Sequence, residues 1–492
     1  MFESAEIGHT LSKTEFNQRV PLIRQELLNL QQELRAKKSF QVIILIGGVD
    51  GAGKSETVKI LNEWMDPRFI ETHAMGLATE EESAHPPMWR FWRVLPPKGK
   101  TGIFFGSWYT QPIIERVYGL NAKAELDQAM ERVVRFERML FDEGALILKF
   151  WFHLSKDQQK ERLKRLKKDP ETRWRVTHEE EAHFKNYDKF RKVSERALRL
   201  SSTAEAPWMI VEGMDPRFRY VTVAQTLLTT LKHRMEAPER YHRVNLPVVL
   251  PPLDNKYLLH SLDFSHKVSK KNYEDRLAKL QRDLNLLVRS PRFKQISAIL
   301  VFEGSDAAGK GGAIRRIAGA LDPRHYQIVP IASPTQEEKE QPYLWRFWRH
   351  IPRRGNFTVF DRSWYGRVLV ERVEGFCEPS DWMRAYSEIN DFEEQLKQGG
   401  AVLLKFWLSI SKEEQLLRFQ AREKTPYKRF KITEEDWRNR EKWEEYEVAV
   451  SEMIERTSTD IASWTVVEAN DKYYARIKIL ESVYTQLEKA LS

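Results

Sequence analysis

Gly48-Val-Asp-Gly-Ala-Gly-Lys-Ser55 matches the pattern G-x-x-x-x-G-K-S/T, directly after the apolar run 42–46 and before a stretch of helical periodicity. In such a loop the glycines turn backbone N–H groups towards a phosphate. The helix N-terminus adds positive charge, and the lysine supplies a mobile cation. A tight turn with a chance lysine is the alternative interpretation. The apolar run before the loop and the helical stretch after it favour phosphate binding.

The loop recurs 256 residues later as Gly304-Ser-Asp-Ala-Ala-Gly-Lys-Gly311, in which glycine replaces the hydroxyl residue. The same shift relates GSWY from Gly106 to RSWY from Arg362. The 492 residues therefore contain two copies of one domain. We predict an N-terminal domain at 1–236, a proline-rich linker at 237–257 and a C-terminal domain at 258–492.

Both copies alternate short apolar runs with longer amphipathic stretches. Continuous apolar runs are typical of parallel strands that are covered on both faces. We therefore predict a three-layer α/β/α fold with a parallel sheet, present twice. The clearest strand predictions are 42–46, 327–331, 357–360, 401–408 and 464–467.

Both loops carry an aspartate in their third position, Asp50 and Asp306, but only the second copy has a second carboxylate, Asp361. Asp306 lies in the phosphate loop of the second copy, where it would repel a bound phosphate unless a cation such as Mg²⁺ bridged the two. The alternative interpretation is that Asp306 only caps the following helix or turn. Asp361 follows the run 357–360, where kinases of this loop type place a second metal-linked aspartate, and Arg362 stands beside it. The first copy has Phe105 and Gly106 at these positions. We therefore expect the second copy to carry the chemistry.

A basic segment follows a late strand in each copy. In the second copy Arg418 and Arg422 are four residues apart and share a helical face. A solvated charged helix explains such a run equally well. In nucleotide kinases, however, this position carries a helical lid that closes over the transferred phosphate.

The overall charge and the single cysteine restrict the class of protein. Lys and Arg number 80 against 71 Asp and Glu, which favours an anionic partner without naming it. Cys377 alone can form neither an intramolecular disulfide nor a cysteine zinc cluster, which is typical of the cytoplasm. No apolar run reaches the roughly 18 residues of a membrane helix, and the start of the chain resembles no export signal. We expect no membrane partner.

Four motifs of the second copy together resemble the polyphosphate kinase 2 family: EGSDAAGKGG at Glu303, LWRFWR at Leu344, FDRSWYGRVLVERVEGFC at Phe360 and SWTVVEANDKYYAR at Ser463. The resemblance covers almost all of both copies and is greatest to the two-domain, AMP-using members. It implies a thymidylate-kinase-like phosphate-loop fold, dependence on Mg²⁺ with Mn²⁺ as a substitute, and phosphoryl transfer from inorganic polyphosphate to AMP to give ADP.

Carried over by position, the resemblance assigns site residues in the second copy only. Asp306 and Asp361 would hold the metal, and they would act in catalysis with Lys310 and Arg362. The residues that would bind phosphate or nucleotide are Gly304, Ala308, Gly309, Lys310, Gly311, Arg367, Arg372, Arg418, Arg422 and Lys431.

Two other functions remain open at this point. An ATP-dependent nucleoside monophosphate kinase would use the same loop and lid. A basic nucleic-acid-binding ATPase would also fit the positive charge, although no helicase or RNA-binding motif supports it, and we expect no nucleic-acid partner. The sequence is compatible with a homo-oligomer.

Overall fold

The computed structural model describes residues 1–236 and 258–492, so the predicted linker 237–257 lies outside the described residues. The described chain divides into two compact units. Unit 1 contains residues 1–78, 90–236 and 335–345, and unit 2 contains residues 79–89, 258–334 and 346–492. Residues 79–89 of the first copy thus belong to unit 2, and residues 335–345 of the second copy belong to unit 1. The division at 237–257 stays a prediction.

Residues 1–236 alternate strands and helices as the sequence predicts. The strands are β1 Val42–Gly48, β2 Ile70–Ala74, β3 Thr101–Phe105, β4 Leu146–His153 and β5 Trp208–Glu212. The helices are α1 Lys13–Lys37, α2 Lys54–Trp64, α3 Glu80–Ser83, α4 Trp89–Trp92, α5 Thr110–Tyr118, α6 Lys123–Asp142, α7 Lys156–Lys168, α8 His178–Lys185, α9 Tyr187–Ser201 and α10 Pro216–Glu236.

Residues 258–492 repeat this order. The strands are β6 Ser297–Gly304, β7 Tyr326–Pro330, β8 Phe357–Asp361, β9 Ala401–Ser409 and β10 Trp464–Glu468. The helices are α11 Lys270–Val288, α12 Lys310–Ala318, α13 Gln336–Lys339, α14 Trp345–Trp348, α15 Val370–Val373, α16 Pro379–Gln398, α17 Lys412–Glu423, α18 Glu434–Glu441, α19 Trp443–Thr457 and α20 Lys472–Leu491.

Each unit has one five-stranded, fully parallel sheet. The strand order is β2-β3-β1-β4-β5 in unit 1 and β7-β8-β6-β9-β10 in unit 2. The strand that leads into the phosphate loop is therefore central in both sheets. The predicted α/β/α fold is confirmed, and the five strand predictions hold with their ends shifted by at most two residues.

The two faces of the second sheet are covered by different helices. On β9, Leu404, Phe406 and Leu408 pack in one core with residues of α12 and α20. Lys405 points to the opposite face, where its Nζ donates to Glu393 of α16 at 2.7 Å and to the carbonyl of Thr457 of α19 at 2.7 Å. Alternation along one strand thus produces the three layers.

The motif SWY, present in both copies, serves the core. The indole of Trp364 and the hydroxyl of Tyr365 donate to the same oxygen of Glu393, at 3.0 and 2.6 Å, and Lys405 satisfies the other. Trp108, Tyr109, Glu137 and Lys149 repeat this network in unit 1. A buried carboxylate is tolerated only when it is paired and hydrogen-bonded, so both copies keep the whole set.

No helix in residues 1–236 or 258–492 combines the length and the apolar character that crossing a membrane requires.

Candidate active site

The phosphate loop of unit 2 connects β6 to α12. Gly304 has a φ of +148°, and a Cβ there would lie 2.4 Å from the carbonyl oxygen of Leu408. Only glycine therefore fits at the point where the loop leaves the sheet. Lys310, the first residue of α12, donates from Nζ to the carbonyl of Gly304 at 2.6 Å, so its ammonium group lies across the loop.

Asp306 is held at the centre of this loop by three contacts. Its Oδ2 accepts from the amide of Asn439 at 2.8 Å, and its Oδ1 lies 3.5 Å from Nη2 of Arg362. Gln415 donates to its backbone carbonyl at 3.1 Å. Asp306 is therefore oriented by helices α17 and α18, which belong to the predicted lid segment, and is only 14% exposed. Sequence reasoning missed Asn439 and Gln415 because neither belongs to a recognisable motif.

Arg362 has an unusual backbone conformation. Its φ is +65°, in the left-handed region that costs a non-glycine residue about 1 kcal/mol or more. Its N–H donates to the carbonyl of Phe302 at 3.0 Å, which keeps this conformation in place at the end of β8. Although burial opposes its charge, the carboxylates of Asp306, Glu303 and Glu435 raise the pKa of the guanidinium. The backbone of Arg362 is thus held in place, and its charged guanidinium lies at the edge of the loop, 3.5 Å from Asp306 and from Glu435.

Asp361 is the last residue of β8 and lies opposite Phe302 in the register of β6 and β8. The two predicted metal carboxylates, Asp306 and Asp361, therefore stand at the carboxyl ends of neighbouring strands. In residues 1–236 and 258–492, no group of three or more His, Cys, Asp or Glu side chains could form a metal cluster. Mg²⁺ takes one or two carboxylates and completes its shell with water and substrate phosphate, so this donor set fits it.

The structure places Arg418 differently from the predicted lid position. It is buried, and its guanidinium donates to four backbone carbonyls at 2.7–3.0 Å, two in the loop and two after β10, and to Glu414 at 2.6 Å. The carbonyls belong to Ala307, Ala308, Ala469 and Asn470. Arg418 therefore fastens the phosphate loop to the sheet. The spacing of residues along a helix could not predict the direction of the Arg418 guanidinium.

Two other predicted phosphate ligands contact carboxylates instead. Arg367 pairs with Glu371 at 2.9 Å, and Arg372 pairs with Glu452 at 2.7 Å. Arg372 also lies over the ring of Trp382 at 4.1 Å from its centroid. In this conformation neither side chain is among the described residues that line the cavity of unit 2. Their assignment to phosphate binding stays a prediction.

The lid assignment of Arg422 and Lys431 also stays a prediction. Arg422 lies near the end of α17 and is partly buried. The side chain of Lys431 lies outside the described part of the structure. Glycines 309 and 311 and Ala308 are where the motif places them, in the loop and at the start of α12.

Glu303 is a functional candidate to which the motif alone assigned no role. It lies immediately before the loop, and the hydroxyl of Ser363 donates to its Oε1 at 2.8 Å. Burial raises the pKa of Glu303, although Lys310 and Arg362 oppose the shift. The equivalent residue of the first copy is Gly47. That difference, at the position before the loop, is the signal that could have identified it.

Glu303, Asp306, Lys310 and Arg362 line one cavity of about 380 Å³ in unit 2, whereas Asp361 is not among the described residues that line it. Its charged lining comes from β6 and the loop, from the residue after β8 and from helices α17, α18 and α19: Glu303, Asp306, Lys310, Arg362, Lys412, Glu435 and Glu447. Cations and carboxylates thus both line a space of the size that small-molecule ligands occupy.

Unit 1 retains the loop but has different surroundings. Lys54 donates to the carbonyl of Gly48 at 2.7 Å, as Lys310 does in unit 2. Asp50, however, pairs with His183, whose Nδ1 lies 2.8 Å from its Oδ2. Hydrogen bonding to Asp50 raises the pKa of His183. An imidazole therefore contacts the loop aspartate where Asn439 does so in unit 2.

The position of Arg362 has also become unsuitable for an arginine in unit 1. Its equivalent, Gly106, has a φ of +70°, and a Cβ there would lie 2.6 Å from the carbonyl oxygen of Met75. An arginine at this position would need a shift of the backbone. Phe105 ends β3 where Asp361 ends β8.

The parallel sheet, the phosphate loop and the flanking carboxylates and arginine together define a phosphate-loop kinase fold. The sequence model of polyphosphate kinase 2 (PPK2) matches residues 10–239 and 267–492. The chain belongs to the polyphosphate kinase 2 family.

Relatives that align with nearly the whole chain support this family assignment. The polyphosphate:AMP phosphotransferase of Pseudomonas aeruginosa is 57% identical over 100% of this chain and 99% of its own. The polyphosphate:AMP phosphotransferase of Acinetobacter johnsonii is 39% identical over 94% of this chain and 93% of its own. A crystal structure from Pseudomonas aeruginosa PA01, described provisionally as polyphosphate kinase 2, superimposes with a TM-score of 0.90 at 55% identity, covering 100% and 99% of the two chains.

Proposed function

We propose that unit 2 transfers the terminal phosphoryl group of inorganic polyphosphate to AMP, giving ADP. The observation that carries the proposal is the convergence of Lys310, Asp306 and Arg362 on one cavity of nucleotide size. The names of the full-length relatives support polyphosphate as the donor and AMP as the acceptor.

The reaction is an in-line displacement. An oxygen of the AMP α-phosphate forms a bond to the terminal phosphorus as the bond from that phosphorus to the bridging oxygen breaks. The shortened polyphosphate leaves with the electron pair. Because the attacking oxygen is already anionic, no strong general base is needed. Catalysis then consists of positioning and charge neutralisation by Lys310 and Arg362, both of which line the cavity.

A divalent cation, Mg²⁺ or Mn²⁺, would be held by Asp306 and Asp361 together with substrate phosphates. It would neutralise phosphate charge and keep the reacting groups in line. The lid residues Asn439 and Gln415 keep the carboxylate and the backbone of Asp306 in place.

We further propose that the N-terminal domain, 1–236, does not catalyse transfer. It has no carboxylate at Phe105, no arginine at Gly106 and an imidazole on Asp50. We also propose that the enzyme works in the cytoplasm, where nucleotide substrates and a free thiol such as Cys377 are expected.

Product analysis tests the proposal. The purified full-length chain is incubated with AMP, Mg²⁺ and either long-chain polyphosphate or ATP, and ADP is separated by ion-exchange chromatography. We expect ADP to form with polyphosphate and at most slowly with ATP as the donor. Equal or faster transfer from ATP would instead identify an ATP-dependent nucleoside monophosphate kinase.

A further inference from the structure

The cavity of unit 2 has an apolar part that phosphate chemistry does not explain. It is lined by the turn that precedes the sheet and by α15 and α19, through Leu259, Leu262, Phe264, Val370, Trp443 and Val450. Ligand sites combine such apolar walls with a few polar groups that fix orientation. A phosphate chain alone would leave this apolar part of the cavity unfilled.

One carboxylate, Glu447, lies within this apolar lining. Its Oε1 accepts the indole N–H of Trp443 at 2.8 Å, and its Oε2 lies 3.2 Å from Nε2 of His260. The Glu447 side chain is 23% exposed. Each carboxylate oxygen can accept a further hydrogen bond, so Glu447 is held in place and still has acceptor capacity.

We propose that the base of the acceptor nucleotide occupies this apolar part and that Glu447 accepts a hydrogen bond from an N–H group on the base edge. The inference rests on the proposed function and adds a specificity-determining residue to it. The indole of Trp443 offers a flat surface for the base, and base stacking on aromatic rings tolerates different bases. Selection would then come from Glu447, because a carboxylate accepts hydrogen bonds and donates none.

Unit 1 provides a natural comparison, because the equivalent space is occupied by its own side chains. Trp407 and Ser409 line the cavity of unit 2, and their equivalents in unit 1 are Trp151 and His153. The ring of Phe2 stacks on both, at centroid distances of 6.0 and 4.5 Å, and is only 1% exposed. No base can lie there while Phe2 does.

The equivalent of Glu447 also differs in unit 1. Arg191 replaces it and pairs with Glu3 at 2.9 Å. The equivalent of Trp443 is Tyr187, whose hydroxyl donates to the carbonyl of Leu154 at 2.8 Å. We therefore expect one nucleotide to bind per chain, in unit 2.

The test measures nucleotide binding without a phosphoryl donor. Isothermal titration calorimetry on the full-length chain compares AMP with purine riboside 5′-monophosphate, which lacks the 6-amino group. We expect the wild type to bind AMP about 10- to 100-fold more tightly, the range expected for a hydrogen bond to a charged group. In Glu447→Gln the preference should fall to about threefold or less, because the carboxylate charge is gone. Glu445→Gln, exposed on the same helix, is the matched control and should keep the preference.

Kinetics with polyphosphate separate base recognition from a structural effect. We expect Glu447→Gln to raise the KM for AMP about 3- to 30-fold while kcat changes less than about threefold. Equal binding of the two nucleotides by the wild type, or an unchanged preference in Glu447→Gln, would overturn the inference even if ADP is formed. Two AMP molecules bound per chain would overturn the assignment of Phe2. Selective, Glu447-dependent binding of AMP without transfer from polyphosphate would instead refute the proposed function alone.

Discussion

Replacing Arg418 by lysine tests whether this residue fastens the phosphate loop. All of its guanidinium N–H groups are used, four on backbone carbonyls and one on Glu414. A lysine ammonium has three N–H groups, so at least two of these acceptors lose their partner. Each buried group left unsatisfied costs about 1–3 kcal/mol. We therefore expect unit 2 to lose about 2–6 kcal/mol of unfolding free energy.

Unit 1 supplies the matched control for this prediction. The equivalent arginine, Arg162, pairs with Glu56 at 3.0 Å, and its Nε has no hydrogen-bond partner. Arg219 instead donates to the carbonyl of Gly213, at 2.6 Å, the equivalent of Ala469. Both members of the Arg162–Glu56 pair are partly exposed, so Arg162→Lys should cost about 1 kcal/mol or less.

Differential scanning calorimetry and urea unfolding measure both variants in the full-length chain. A loss of 1 kcal/mol lowers Tm by about 2–4 °C in a domain of this size, so Arg418→Lys should shift the unit 2 transition by about 4–24 °C. Transfer from polyphosphate to AMP should fall as well, because the loop loses its anchor. An unshifted transition in Arg418→Lys, or an equal shift in Arg162→Lys, would refute this interpretation of the arginine.

Two further substitutions examine the carboxylates of unit 2. Asp361→Asn should reduce kcat for ADP formation about 100-fold or more with little change in Tm, because it removes charge from the proposed metal site. A kcat within threefold of the wild type would count against that site. Glu303→Gln should stabilise the protein more at pH 7 than at pH 5. Since burial raises the pKa of Glu303, the folded state keeps a proton that the unfolded chain releases, and stability falls as pH rises between the two pKa values. Equal effects on urea unfolding at both pH values would contradict this.

Features defined by spacing along the chain could be predicted from the sequence. Strand runs such as 401–408 and the loop before Lys310 depend on local pattern, and the 256-residue shift exposed the duplication. The same comparison identified Phe105 and Gly106 as the positions at which unit 1 differs. Local pattern and internal repetition therefore sufficed for the fold, whereas the assignment of the chemistry to unit 2 stays a prediction.

The directions of long side chains could not be predicted in this way. Arg372 and Arg418 belong to motif-rich or basic segments, yet each is held by a carboxylate or carbonyls that are distant in sequence. Arg367, by contrast, pairs with Glu371, only four residues further along the chain. The occupation of unit 1 by Phe2 is likewise a tertiary contact, since the ring packs on residues of β4. Periodicity gives the face of an element, but packing decides what lies opposite that face.

The comparison of Lys310→Ala with Lys54→Ala in the full-length chain tests the central claim, that one of two similar loops carries the chemistry. Each lysine donates to the first glycine carbonyl of its own loop, at 2.6 and 2.7 Å, so the two substitutions are structurally matched. In Lys310→Ala, ADP formation from polyphosphate and AMP should fall about 100- to 1,000-fold, because a charge at the reacting phosphoryl group is lost. In Lys54→Ala, ADP formation should stay within about threefold of the wild type. Loss of activity in Lys54→Ala with activity retained in Lys310→Ala would contradict the assignment of catalysis to unit 2.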